Sequence, residues 1–431
     1  MAQAQSAAAG GGLKTGSAKM TMPSISKAKG LRSGDFVLTP AVSVDAHHDT
    51  NVFNGNVEEK GNEPKPATSL RIGPRLGLTN GSDSEVQFNF AAAGDIRLYI
   101  SDVKEVDELT AFGGNADLGV TFAARRAISF SIFDHFTRAL QANNWDTLET
   151  LNRYSNDVGG RVSFHPGEIP ERRPLEVSLM GAYAVDRFDD FKQGATNTVR
   201  TRLTSSWRFL PKTAVVLDSS WDFRDFIDPG DNGLVSDSKP WRVQAGVAGA
   251  LTKKITFRAT GGWGMSLHDI NEVDPNYKST DERTFNNFIG AFALGFRASS
   301  STLLHIGYSR DFRDSYYANF MQFHRGSVSL SQRFGTMLDV NAWFNGTYGT
   351  YGAYKPSIGV QLQQLNRIDT ALDGGLRASF EVSRLVGMDI GYRFRGVVTN
   401  YRVASLDANN TVIDVGAYSA HEIFAGIALR Y

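Results

Sequence analysis

Val199-Arg200-Thr201-Arg202-Leu203-Thr204-Ser205-Ser206-Trp207-Arg208-Phe209 divides into two sets by parity. Val199, Thr201, Leu203, Ser205, Trp207 and Phe209 fall on one side. Arg200, Arg202, Thr204, Ser206 and Arg208 fall on the other. A period of two marks a strand, because successive side chains point to opposite faces. The same alternation runs through Leu217–Phe223, where Leu217, Trp221 and Phe223 oppose Asp218, Ser220 and Asp222. It recurs from Met388, Ile390, Tyr392 and Phe394 against Asp389, Gly391, Arg393 and Arg395.

Outward from these segments, the pattern gives candidate strands at 35–45, 68–79, 85–100, 109–125, 127–138, 155–165, 174–186, 197–210, 213–227, 240–252, 255–268, 285–298, 301–313, 320–334, 336–349, 370–383, 385–398 and 418–431. That is about eighteen, with no convincing stretch of period 3.6 between them. The links form a second pattern. After even-numbered strands they are mostly tiny: Asn80-Gly81-Ser82-Asp83, Arg125-Arg126, Pro211-Lys212, Lys253-Lys254, Ser299-Ser300, Gly335 and Arg384, with a longer one from His165 to Pro174. After odd-numbered strands they are mostly long: 46–67, 139–154, 187–196, 228–239, 269–284, 350–369 and 399–417. Short turns on one side and long loops on the other are the layout of outer-membrane barrels. The expectation is an all-β chain folded as a transmembrane antiparallel up-and-down β-barrel in a bacterial outer membrane. Its turns are periplasmic, its long loops extracellular, and an even strand count places both termini in the periplasm.

Composition agrees. The 431 residues carry 45 Lys+Arg and 45 Asp+Glu, a balance that excludes a nucleic-acid binder relying on basic excess. Gly is 43 and Phe 28 against Pro 13, which suits many strands; Cys is 0, so neither a disulfide framework nor a thiolate metal site is possible. No apolar run is long enough for a membrane helix, but a barrel strand needs only ~9–11 residues with every second one apolar. Residues 1–34, rich in Ala, Gly, Ser and Lys, read as a flexible periplasmic tail, and 35–431 as the barrel. Met1–Gly12 lacks a basic and an apolar signal region, and Ala2-Gln3-Ala4-Gln5 looks like the start of a mature chain.

Eighteen strands enclose more space than side chains fill, so an aqueous lumen is expected. Its polar lining is read as Arg71, Arg75, Asp95, Arg97, Arg200, Arg202, Asp218, Asp222, Arg258, Arg377, Asp389, Arg393 and Arg395. Most would pair across strands and hold the wall, and a minority would form a selectivity surface. Trp145, Trp207, Trp221, Trp241 and Trp263 read as an interfacial girdle, and Trp343 as an inward aromatic that could stack a sugar. Asn345–Tyr354, NGTYGTYGAY, reads as a loop forming either a constriction or an outer lid. Catalytic signals are weak. His47 and His48 before Asp49 lack the spacing of a metal helix and read as loop residues, and Gly10-Gly11-Gly12 and Gly261-Gly262 make no phosphate loop. The expectation is no enzyme, no metal and no cofactor. A soluble propeller would show blade repeats of ~40–50 residues, which are not seen.

The ending Ile423-Phe424-Ala425-Gly426-Ile427-Ala428-Leu429-Arg430-Tyr431 resembles the signal by which outer-membrane barrels are recognised for assembly. Ile427, Leu429 and Tyr431 would carry it, with Tyr431 in place of the commoner phenylalanine. The opening, Leu38-Thr39-Pro40-Ala41-Val42-Ser43-Val44-Asp45 followed by Asp49-Thr50-Asn51-Val52-Phe53, resembles a family of β-barrel porins associated with exopolysaccharide gene clusters. In that family the first strand likewise runs into a D-x-N-x-[FY]-like segment. The resemblance implies a polysaccharide-export pore served by a separate periplasmic partner, since no repeat scaffold is fused at the N-terminus. Lipid or lipopolysaccharide and the assembly machinery are further implied partners, and a polysaccharide or small sugar the solute. The alternative is a general or sugar-selective diffusion porin. Structural or adhesive barrels and rim enzymes rank lower.

Overall fold

The computed structural model describes residues 30–55, 63–81, 83–143, 150–166, 174–189, 191–228, 237–269, 284–315, 319–352, 367–400, 402–404, 412–414 and 417–431. Its wall is built of β1 (Phe36–Asp49), β2 (Ala67–Asn80), β3 (Gln87–Ile100), β4 (Ala111–Phe122), β5 (Ile128–Asn143), β6 (Thr150–Phe164), β7 (Leu175–Phe188), β8 (Thr196–Leu210), β9 (Thr213–Phe226), β10 (Ser238–Ala250), β11 (Ile255–His268), β12 (Phe285–Arg297), β13 (Thr302–Asp314), β14 (Phe320–Phe334), β15 (Leu338–Tyr351), β16 (Ile368–Glu381), β17 (Val386–Thr399) and β18 (Tyr418–Arg430). The sheet has 19 strands, of which one is the three-residue Leu31–Ser33, leaving eighteen in the wall. Each pairs antiparallel with the next. β18 then pairs antiparallel with β1, from Ala41↔Arg430 to Asp49↔Glu422, so the sheet closes and no wall strand is an edge.

Leu31–Ser33 folds back on the start of β1 through a turn in which Gly34 takes φ 59°, a left-handed conformation suited to glycine. The wall links at one end, 81–86, 123–127, 165–174, 211–212, 251–254, 298–301, 335–337 and 382–385, define the short-turn end. Links at the other end include 50–66, 101–110, 227–237, 269–284 and 400–417, but also the brief 315–319.

Alternation sorts the side chains into two unlike faces. Trp207 (56% exposed), Trp221, Trp263, Phe288, Phe344 and Ile390 belong to an outward face left open over its apolar atoms. The opposite parity carries arginines, carboxylates and hydroxyls. There is no central apolar core among the described residues. Apolar burial is local, as where Val52, Ala67, Tyr99 and Val106 pack with Phe53 and Leu109 at the long-link end.

The structure departs from the sequence expectations in particular places. β1 runs on to Asp49, so His47 and His48 are strand residues, His47 buried on the inward parity and His48 outward, not loop residues. The alternation of Val44, Ala46 and His48 against Asp45, His47 and Asp49 continues unbroken, and cross-strand pairing follows it. Asn345–Tyr351 likewise lie in β15, paired along β14 and β16, so that part of NGTYGTYGAY is wall and neither constriction nor lid. β6 begins at Thr150 rather than 155, and one helical turn, Lys104–Asp107, caps the link after β3 by burying Val106. Trp145, residues 1–29 of the expected tail, and 353–366 lie outside the described residues.

Candidate functional site

The inward parity is a wall of matched charge. Around β15–β18 and β1–β3, Arg393 Nη2 lies 2.5 Å from Asp373 Oδ2 and Arg377 Nε 2.8 Å from Asp389 Oδ1. Arg395 pairs with Asp49 across the closure seam. Arg71 Nη2 is 3.2 Å from Glu422 Oε1, which also lies 2.7 Å from His47 Nδ1. Arg97 pairs with Asp95 within β3 at 2.7 Å. Across β6–β9, Arg200 reaches Asp157 at 2.8 Å, and Arg202 grips Asp218 with both Nε and Nη2, at 3.0 and 2.5 Å. Asp222 sits opposite Arg200 in register. Arg75 stands between Ala41 and Ala93, and Arg258 between Ala248 and Ala293, without a carboxylate directly opposite. Forked, two-point pairing of this kind fixes arginine side chains against the wall.

Trp343 shares the inward parity of β15. Its Nε1 donates to Asp373 Oδ1 at 3.0 Å, the same carboxylate that holds Arg393. A Cβ at Gly375 on β16 would stand 2.5 Å from Trp343 Cζ2, so glycine there makes room for the indole. The ring is thus pinned at its nitrogen and seated on bare backbone.

One feature escaped the sequence reading. Pairing of β12 with β13 stops at Gly290↔Arg310, whereas β13 and β14 remain paired to Asp314↔Phe320. The end of that hairpin therefore leaves the wall line and bends inward over β10–β12. Phe312, 1% exposed, stacks on Phe285 with centroids 4.3 Å apart and lies under Arg242, whose guanidinium is 4.0 Å from its ring. Arg242 also binds Asp311 at 3.0 Å and donates to the Phe312 carbonyl at 2.6 Å. Asp314 accepts from Arg224 (2.7 Å), Ser238 (2.5 Å) and Ser266 (2.9 Å). Gly264 leaves room, since a Cβ there would meet Phe312 Cε1 at 2.5 Å. By strict parity with Ile306 and Tyr308, Phe312 and Asp314 would face out, so alternation alone could not place them. Asp373 and Glu422, by contrast, follow the parity of Arg377 and Arg430 and were within reach of the pattern.

Ser266, His268 and Asp314 bring together the residue types of a hydrolytic triad. Ser266 is fully buried and spends its hydroxyl on Asp314, so the group anchors the hairpin. Among the described residues, no cluster of His, Asp and Glu could hold a metal ion.

The Asp49–Phe53 segment has a structural job. Asp49 accepts from the Asn51 amide at 2.9 Å, and Asn51 Nδ2 donates to the carbonyls of Gly55 (2.8 Å) and Ser419 (3.1 Å). Val52 and Phe53 fill the apolar cluster below. The residues that carry the resemblance to exopolysaccharide-associated barrels thus tie the first link to the last strand.

No family model and no curated protein matches the chain. Solved structures of porins are similar to it in fold. Acinetobacter baumannii OccAB3 has 12% identity and a TM-score of 0.47, covering 91% of this chain and 99% of that one. Pseudomonas aeruginosa OccK2 (OpdF), in complex with glucuronate, has 11% identity and a TM-score of 0.46 over 91% and 98%. A BenF-like porin from Pseudomonas fluorescens Pf-5 has 10% identity and a TM-score of 0.47 over 91% and 99%. The class of this chain, a closed antiparallel barrel of eighteen strands, stands on its own strand register.

Proposed function

We propose that the chain is a bacterial outer-membrane channel that passes small hydrophilic solutes, sugars among them. The observation that carries this reading is the inversion of its faces. Exposed Trp, Phe, Ile and Val cover the outside, and paired charges cover the inside. Water would hydrate the reverse arrangement in a soluble barrel; hydrocarbon outside and water inside account for this one. The short-turn end, which holds Phe36 and Arg430, faces the periplasm in this reading. The inward hairpin of β13 and β14 narrows the passage at the other mouth, with Arg224, Arg242, Asp311 and Asp314 around it.

Charges neutralised in place bind ions weakly and leave a polar surface over which uncharged, hydroxyl-rich solutes pass. Trp343 adds one fixed aromatic face of the kind sugars stack on. The test is reconstitution into liposomes with sugars of graded size. Swelling that falls with solute size, together with a stepwise conductance in planar bilayers, is expected. Liposomes that stay impermeable to monosaccharides and pass no current would overturn the channel reading. A second reading, export of a sugar polymer, is also favoured by Trp343. It requires that deletion remove surface polysaccharide while leaving monosaccharide uptake unchanged.

A further inference from the structure

The inward parity of β14 and β15 carries a field of uncharged groups with one aromatic ring inside it. The register opposes Ser327 to Asn345, Ser329 to Trp343 and Ser331 to Asn341. By strand geometry these serines and asparagines all stand within ~8 Å of the tryptophan position. Among the described residues, Trp343 is the one tryptophan on the inward parity. Trp207, Trp221 and Trp263 are exposed on the outer face, and Trp241 is opposed to Trp221 there. The Trp343 indole reaches away from β14 and lies across β16. A Cβ at Gly375 would stand 2.5 Å from Cζ2 and 2.6 Å from Cη2, so the ring covers bare backbone with one face and turns the other to the lumen. The charges beside the ring are spent. Asp373 holds both the indole Nε1 and Arg393, and Asp389 holds Arg377. The neutral groups are not spent. Ser327, Ser329 and Asn345 make no hydrogen bond among the described residues, and none of their polar atoms is covered by the chain. Asn341 accepts from Ser331 at 2.7 Å and keeps its Nδ2 donors.

We infer that this field is a binding site for one pyranose ring of a neutral saccharide, an inference that rests on the channel reading above and deepens it. A pyranose has a face of C–H bonds and a rim of hydroxyls. The open face of the indole takes the first, an amphipathic surface against an aromatic one. The rim meets Asn341 and Asn345, which flank the ring on its own strand, and Ser327 and Ser329 on β14. Each sugar hydroxyl both donates and accepts, and so does a serine hydroxyl; an asparagine amide offers both roles at separate atoms. Ions fit this place less well. An anion would have to draw Arg377 or Arg393 from its carboxylate and leave that carboxylate unpaired, and a cation would have to take Asp373 from its two donors. The arrangement therefore selects neutral sugars over sugar acids and amino sugars.

The test is the ion current of the full-length barrel in planar bilayers, titrated with maltotriose, with glucose and glucuronate as competitors. Maltotriose is expected to reduce the current saturably. Trp343→Ala is expected to raise the half-blocking concentration about tenfold, and Ser329→Ala and Asn345→Ala about threefold each. Trp343→Phe keeps an aromatic face and should stay close to wild type, and Trp221→Ala, on the outer face, should change nothing. Glucose is expected to relieve the block at lower concentration than glucuronate. Unblocked conductance and heat-modifiability should match wild type in every variant, which separates lost binding from a damaged wall. If Trp343→Ala fails to fold, Ser329→Ala and Asn345→Ala decide, since both remove only groups without partners. A current that does not saturate with maltotriose, a block unmoved by these substitutions, or glucuronate competing better than glucose overturns the inference. A barrel that conducts ions but is never blocked defeats only this inference, and one that passes no current defeats the channel reading itself.

Discussion

Asp49 ties together more than one part of the molecule. It receives Arg395 from β17 and the Asn51 amide, and Asn51 in turn holds Gly55 and Ser419. Removing one member of a buried ion pair leaves the other charge uncompensated and costs about 3–5 kcal/mol. Asp49→Ala is therefore expected to lower the temperature at which the folded band converts to the unfolded one on a gel, and to destabilise the barrel by about 3 kcal/mol in urea titration. Asn51→Ala should loosen only the link, seen as faster amide hydrogen exchange at Gly55, whose N–H the Asn51 side chain accepts at 2.7 Å, with the barrel intact. Trp343 gives a second test. Gly375→Ala puts a methyl where its Cζ2 lies, so the indole must leave Asp373. A changed emission spectrum is expected, absent when the same substitution is made in Trp343→Phe. If the ring supports passing sugars, Trp343→Ala should also slow sugar flux while leaving salt conductance nearly unchanged.

Strands and the hairpin test differently, because their side chains act in register. Arg202 and Asp218 bond at two points between β8 and β9. Arg202→Asp should bias the channel toward cations and impair refolding, and the exchange Arg202→Asp with Asp218→Arg should restore both, read as reversal potential and folded yield. The inward hairpin depends on Asp314 and its three donors. Asp314→Ala is expected to free it and give larger or noisier single-channel steps; an unchanged conductance would mean that the hairpin does not narrow the passage. The strands were legible in the sequence because a wall with one apolar and one polar face must alternate, and the described strands do. The hairpin was not, because Phe312 and Asp314 keep the alternation while the strand carrying them leaves the wall. His47 and Thr350–Tyr351 fell outside the expected strands, and Asn345–Gly349 were read both as strand end and as loop, for a related reason: polar and glycine-rich stretches resemble loops, yet cross-strand pairing continues through them. Arg71 and Arg395 could be placed on the polar parity, but Glu422 and Asp49, hundreds of residues away, emerge as their partners only once the sheet closes.

At the scale of the whole molecule, the sheet is a ring whose position in the chain is arbitrary. Phe36 and Arg430 stand at the same end, and the seam between β1 and β18 is built of the same backbone pairing as any other. A circular permutant that joins the ends by a short linker and opens the chain at 251–254 is expected to form a heat-modifiable barrel. Loss of folding would show that the natural seam has a special role. That seam also has a temporal meaning. His47 and Glu422 touch across 375 positions of sequence. During synthesis, the first strand of the wall must therefore wait for almost the entire chain to emerge before it meets its permanent neighbour. Until then the growing sheet has two raw margins, each able to zip onto the wrong molecule. A protein closed in this way has its greatest vulnerability just before completion, when both margins are at full length and neither is yet covered.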